Sequence, residues 1–221
     1  MGEKLIAPSI LAANILNLQN DISAVVANGA EILHIDVMDG NFVPAITFGD
    51  NVVRELRKSV DIILDVHLMI ENPQNHIETF ASAGADIITV QFESLPDMDK
   101  LIAISKQIRS NSIKAGISIN PQTPVDEIRE IMKHFDLVLI MTVVAGLGGQ
   151  KYIESCTQKI IEVVEMAKNL PYELLIQVDG GINAENIHIP RDAGANIFVA
   201  GNAVFAAKDI GQAFCELEGK L

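Results

Sequence analysis

Positive charge is scarce in this chain. Its 221 residues carry 16 lysines and arginines against 29 aspartates and glutamates, a formal net charge of −13. That deficit argues against nucleic acid and against anionic membranes as partners, and it means that an anionic substrate must be held by local donors. Cysteine is equally sparse. Cys156 and Cys215 lie far apart with no CxxC between them, which excludes a disulfide framework and a thiolate metal site and points to a reducing compartment. No apolar run is long enough to span a bilayer, and no low-complexity segment interrupts the chain. The N-terminus runs into a strand-like segment without a signal-peptide pattern, so the cytoplasm is the expected location. What is abundant is apolar: almost half the residues are hydrophobic, enough for one domain, residues 1–221, with a full core.

The most informative stretch is Ile32-Leu33-His34-Ile35-Asp36-Val37-Met38-Asp39-Gly40. It reads as a strand running into a turn. Strand side chains alternate faces, so His34, Asp36 and Met38 point one way and Ile35 and Val37 the other. Leu64-Asp65-Val66-His67-Leu68-Met69 repeats the pattern, with Asp65, His67 and Met69 on one face. Gln177-Val178-Asp179-Gly180-Gly181 ends a third strand with another carboxylate. Imidazoles and carboxylates buried at strand ends are costly unless something pairs them, and a divalent cation takes both as ligands. His34, Asp36, His67 and Asp179, from three strand ends, form the expected metal site. Zinc heads the candidates, with iron(II), manganese and cobalt also suited to two imidazoles and two carboxylates, one cation per subunit.

Periodicity places eight strands in alternation with helices. Strands are expected at 5–11, 32–38, 61–69, 87–92, 114–119, 137–143, 174–178 and 197–200, and helices at 17–28, 52–58, 73–83, 98–110, 124–135, 152–169, before Gly194 and at 208–217. The helix over 152–169 is expected to be the longest. Eight βα units predict a single (β/α)8 TIM barrel, an α/β fold. An open doubly wound sheet is the runner-up, disfavoured because polar residues recur at nearly every strand end: Ser9, His34, Asp36, His67, Glu93, Asn120, Met141 and Asp179. Barrel active sites lie at that end of the strands.

Glycines cluster after the last three strands. Gly146, Gly148 and Gly149 (with Leu147 between them) follow the sixth, Gly180 and Gly181 the seventh, and Gly201-Asn202 the eighth. Glycine lets backbone N–H groups approach an anion, and late strands of such barrels commonly form a phosphate site. Only Lys151 lies beside these clusters, so the donors are expected to be mainly backbone amides.

These motifs resemble ribulose-phosphate 3-epimerases along nearly the whole chain. The matching pieces are APSIL at 7–11, HIDVMDGNFVP at 34–44, ITFG at 46–49, LDVHLMIENP at 64–73, AGADIITV at 83–90, INPQTP at 119–124, VDGGIN at 178–183 and AGANIFVAGNAVF at 193–205. The resemblance implies that His34, Asp36, His67 and Asp179 bind the cation and that Asp36 and Asp179 serve as the two acid/bases. It implies that Ser9 and His67 contact substrate, that Met38, Met69 and Met141 line the cavity around the reacting carbons, and that the loops at 146–149, 180–181 and 201–202 hold the phosphate. It further implies a small phosphorylated ketose as substrate, interconversion of D-ribulose 5-phosphate and D-xylulose 5-phosphate through a cis-enediolate, a place in the pentose phosphate pathway, and a homo-oligomer, dimer or hexamer.

The chain departs from the family pattern at Gln91, usually His, and in Val144-Ala145-Gly146-Leu147, where Pro and Phe usually stand in place of Ala145 and Leu147. Ala45 and Asn202 replace a usual Asn and Ser. None of these is a proposed ligand. A 3-epimerase of a six-carbon ketose phosphate such as allulose 6-phosphate is the alternative reading. Related decarboxylating barrels resemble D-x-K-x-x-D on the third strand; here His67 replaces the Lys and Ile70 the last Asp, so that chemistry lacks its key residue.

Overall fold

A computed structural model describes residues 4–221. Eight parallel strands form one sheet: β1 (Leu5–Pro8), β2 (Ile32–Met38), β3 (Ile63–Met69), β4 (Ile87–Gln91), β5 (Lys114–Ile119), β6 (Leu137–Met141), β7 (Leu175–Asp179) and β8 (Ile197–Ala200). Each strand from β2 to β8 pairs with the next, and β8 pairs with β1. A bridge between Ser9 and His34 draws the end of β1 to β2, so the sheet is a nearly closed barrel. Helices α1 (Leu18–Ala27), α2 (Asp50–Ser59), α3 (Ile77–Ala83), α4 (Met98–Ser110), α5 (Cys156–Ala167), α6 (His188–Ala193), α7 (Asn202–Phe205) and α8 (Ile210–Glu218) follow the strands, with two after β8 and none between β5 and β6. This is the expected (β/α)8 architecture.

The pleat divides the core in two. Outward residues such as Leu33, Ile35, Val37, Leu64, Val66 and Leu68 pack beneath the helices. Inward residues fill the barrel: Ile32, Ile87, Leu137 and Ile197 low down, with Met38, Met69 and Met141 towards the mouth. Between these apolar ends sits a fully buried polar zone containing His34, Asp65, His67, Thr89, Gln91, Ser118 and Gln177. A polar barrel interior is costly unless its groups are paired.

The βα segments differ from the sequence expectation in places, each for a local reason. Residues 124–135 form no α-helix. They make two 3-10 turns, Val125–Ile128 and Met132–His134, with bonds such as Arg129 N–H to the Asp126 carbonyl and His134 N–H to that of Ile131. The buried side chains Val125, Ile128, Ile131, Met132 and Phe135 recur every three or four residues, a spacing that either coil can present. The helix expected over 152–169 begins only at Cys156, because Ile153 N–H is donated to the Thr142 carbonyl at 2.8 Å and ties the chain to the end of β6. At 12 residues it is shorter than α4 with 13. The segment from Pro73 splits into a 3-10 turn (Pro73–Asn75) and α3. The first strand stops at Pro8, and Ile10–Ala12 turns instead, capped by the Ser9 hydroxyl. The four-residue α7 after β8 has no counterpart in the sequence expectation. No helix among the described residues is long and apolar enough to cross a membrane.

Candidate metal centre and active site

The strand ends bring His34 and Asp36 from β2, His67 from β3 and Asp179 from β7 to one place. One ligand atom from each lies within 4.8 Å of the others, so the four expected ligands converge and could hold a metal ion. His34, Asp36 and His67 are buried, and Asp179 is half-buried. Register explains the convergence: Asp36 and His67 are direct neighbours on β2 and β3, while β7 brings Asp179 from the other side of the barrel.

The local bonds leave the ligand atoms facing one another. His34 Nε2 lies 3.3 Å from Asp36 Oδ1, and His67 Nδ1 lies 3.6 Å from the same oxygen. Ser9 donates its hydroxyl to Asp36 Oδ2 at 2.6 Å. Among the described residues, His34 Nε2 and both ring nitrogens of His67 have no hydrogen-bond partner. Buried imidazole nitrogens without partners, turned towards two carboxylates, are the donor set a divalent transition metal requires.

Charges are pushed apart within the cluster. Burial alone would raise Asp36, but the His34 and His67 imidazoles outweigh it and hold the carboxyl well below the usual range. Burial lowers His34, yet Asp36 and Asp65 more than compensate and raise it well above its ordinary value. His67 moves the other way, since burial lowers it and His34 adds repulsion. Asp179 is pushed up to about 7 by burial and by the negative charge of Asp36. Its surface is partly open to the cavity, but its carboxyl sits deep enough among apolar walls for desolvation to dominate.

A cavity of about 370 Å³ opens above the cluster. Its walls include Ser9, Asp36, Asp179 and the three methionines Met38, Met69 and Met141, together with Gly146, Leu147, Gly148, Gly149, Gly180, Gly181, Gly201 and Asn202. Every cavity-lining residue expected from the sequence is therefore brought to it, while His34 and His67 lie beneath its floor. No lysine or arginine lines it among the described residues. Gly181 shows why glycine is needed: its φ is +71°, and a Cβ there would sit 2.3 Å from the Tyr152 backbone nitrogen. Glu93 and Asn120 stand at the same barrel end but outside the cavity. Glu93 accepts from Asn120 N–H at 2.7 Å and from the Thr123 hydroxyl, and Asn120 Oδ1 accepts from Ala145 N–H at 3.3 Å, bracing the root of the β6 loop.

Two further buried side chains, Asp65 and Gln177, have no role in the sequence expectation. Asp65 Oδ2 lies 2.7 Å from His34 Nδ1, and Gln177 Nε2 donates to the same oxygen at 2.5 Å. The available signal was their spacing, two residues before His67 and before Asp179 on inward faces. Gln91 is fully buried, and neither amide atom has a partner among the described residues.

Comparison with known proteins agrees with the geometry. Residues 5–205 match the model of the ribulose-phosphate 3 epimerase family. A ribulose-phosphate 3-epimerase of Bacillus subtilis is 47% identical over 97% of this chain and 98% of its own length, and one of Mycobacterium bovis is 43% identical over 94% and 89%. Among solved structures, KGPDC from Streptococcus mutans superposes with a TM-score of 0.74, covering 99% of this chain and 97% of the other. At 16% identity that likeness concerns the fold alone.

Proposed function

Since this chain belongs to the ribulose-phosphate 3 epimerase family and is an enzyme of the isomerase class, we propose that it interconverts D-ribulose 5-phosphate and D-xylulose 5-phosphate with one divalent cation per subunit. The observation that carries the reading is the convergence of His34, Asp36, His67 and Asp179 beneath a cavity walled by glycine loops. The sugar phosphate lies in the cavity, with its phosphate on backbone N–H groups of the loops at 146–149, 180–181 and 201–202 and its reacting carbons among Met38, Met69 and Met141. Three apolar, polarisable side chains there exclude water from the reacting centre. Ser9 contacts the substrate end nearest the cluster, while His67, which lies beneath the cavity, acts there as a cation ligand.

Inverting carbon 3 removes a proton from one face of a cis-enediolate and returns one to the other. Asp36 and Asp179, on β2 and β7, flank the mouth from different sides and take these two roles, exchanging them when the reaction runs backwards. In the metal-free protein the two carboxyls are displaced in opposite directions, Asp36 held ionised by the neighbouring imidazoles against its burial and Asp179 raised to about 7 by burial and by Asp36, so they are not equivalent partners. Ser9 orients Asp36 through its hydroxyl. A cation held by His34, Asp36, His67 and Asp179 would polarise the carbonyl and stabilise the developing negative charge. Zinc is the first candidate, with iron(II), manganese and cobalt next.

The same reading makes the protein a cytoplasmic homo-oligomer, dimer or hexamer, acting in the pentose phosphate pathway, with no nucleic acid or membrane partner. The free thiols of Cys156 and Cys215 support a reducing location. The test is turnover of ribulose 5-phosphate and allulose 6-phosphate side by side, before and after chelation. Activity on the pentose that chelator abolishes and a transition metal restores is expected. Preference for the hexose phosphate would favour the alternative sugar, and full activity in metal-free protein would sink the metal site.

A further inference from the structure

Each ligand-bearing strand carries a second inward polar residue two positions earlier. Below Asp36 stands His34, below His67 stands Asp65, and below Asp179 stands Gln177. All three are fully buried. They touch: Asp65 Oδ2 receives both the His34 Nδ1 contact at 2.7 Å and the Gln177 Nε2 hydrogen bond at 2.5 Å. His34 and Asp65 are register neighbours, but Gln177 comes from β7 and reaches them through the barrel interior. We propose that Asp65 and Gln177 form a cross-barrel relay that sets the tautomer of His34 and fixes the spacing between the two sides of the metal centre.

The chemistry follows from the donor inventory. An ionised carboxylate only accepts, so Asp65 compels His34 to carry its proton on Nδ1. Nε2, 3.3 Å from Asp36 Oδ1 and otherwise without a partner among the described residues, is then the nitrogen that gives up its proton to offer a lone pair to a cation in the cluster. Gln177 donates to the oxygen that His34 uses, which keeps Asp65 from rotating away. Gln177 is two residues from Asp179, so the same bond restrains the strand that delivers the fourth ligand. Neither residue lines the cavity, which makes them positioning residues rather than catalytic ones. Groups that orient a ligating imidazole in this way typically govern metal affinity by roughly 10–100-fold.

The inference rests on the proposed metal centre, and the experiment separates the two. Zinc is titrated calorimetrically into chelator-treated wild type, Asp65→Asn and Gln177→Met, with circular dichroism as the fold control. Asp65→Asn keeps the size but can donate to Nδ1, turning the Nε2 lone pair off. It is expected to weaken zinc about 10–100-fold, with turnover recovered at saturating zinc, while Gln177→Met is expected to lose severalfold. In zinc-loaded wild type, imidazole 15N–1H spectra, assigned through His34→Gln, are expected to show a slowly exchanging proton on His34 Nδ1. Absence of zinc binding by wild type would overturn the metal centre itself. Zinc affinity unchanged in folded Asp65→Asn and Gln177→Met, or a wild-type His34 proton on Nε2, would overturn the relay alone. Should Asp65→Asn fail to fold, the Gln177→Met affinity and the wild-type spectrum still decide.

Discussion

Ser9 donates its hydroxyl to Asp36 Oδ2 at 2.6 Å, which occupies one carboxylate oxygen and leaves Oδ1 to the two imidazoles. The bond crosses from the end of β1 to β2 at the point where the barrel closes. A hydrogen bond to the charged form of a carboxyl favours that form, so Ser9 helps keep Asp36 ionised. Ser9→Ala is expected to lower turnover about tenfold, the equivalent of ~1.4 kcal/mol, while bound zinc measured by elemental analysis stays the same. Unchanged turnover would mean that Ser9 only shapes the wall.

Removing either carboxylate has a larger effect. Asp36→Asn and Asp179→Asn are each expected to cut turnover by several orders of magnitude, since each deletes one half of the proposed proton exchange and one proposed ligand. Two separate bases also predict that product formed in heavy water carries deuterium at carbon 3. Quantitative retention of the substrate hydrogen there would point to a single base.

The barrel and the four converging side chains were legible because both rest on strict periods. Alternation along β2 and β3 places His34, Asp36, His67 and Met69 inward wherever the strands are parallel and in register. Residues 125–135 were harder. Their buried positions fit an α-helix and a 3-10 coil almost equally, and only packing on the barrel selects the tighter coil. Asp65 and Gln177 were hidden for a different reason. Their partners are 31 and 112 residues away, and no local pattern shows which inward polar side chains meet across a barrel.

Proton occupancy would give the proposed metal centre a pH dependence. Without a cation, Asp179 titrates at about 7 because burial and Asp36 raise it, and His34 stays protonated well above its usual value because Asp36 and Asp65 overcome its burial. A cation needs both groups free of protons, so binding releases them. Zinc affinity is expected to rise with pH, by roughly tenfold per unit for each proton displaced: two protons below about pH 7, one above it. The metal-free fold behaves oppositely. Between the ordinary carboxyl value of 3.8 and about 7 the folded state binds more protons at Asp179 than the unfolded one, so this group's contribution to stability falls as pH rises through that window. Calorimetric titrations at pH 6, 7 and 8 in buffers of different ionisation enthalpy read the released protons. A pH-independent affinity would contradict the proposed ligand set.

The loop after β6 lines the cavity, and here the structure alters what its sequence alone implies. Ala145 and Leu147 stand where the family pattern has Pro and Phe, which on conformational grounds alone makes Ala145→Pro a stiffening change. A proline constraint of this kind is typically worth ~0.4–1 kcal/mol. Yet Ala145 donates its N–H to Asn120 Oδ1 at 3.3 Å, and proline has no N–H to give. A lost hydrogen bond costs ~0.5–1.5 kcal/mol, so the gain is offset. The loop is already stapled by Gln150, whose Nε2 donates to the Val144 carbonyl at 2.7 Å and to that of Leu147 at 2.8 Å. Leu147 is different. It lines the cavity yet remains 64% exposed, so a larger apolar side chain has substrate and wall to cover. Leu147→Phe is therefore expected to lower KM severalfold with kcat within about a factor of two, the signature of tighter closure without a change in chemistry. Ala145→Pro alone is expected to leave KM nearly unchanged, and the double variant to follow Leu147→Phe. If Ala145→Pro carries the gain in binding instead, the Asn120 bond contributes nothing to the loop. If kcat rises while KM stays fixed, Leu147 shapes the chemical step rather than closure.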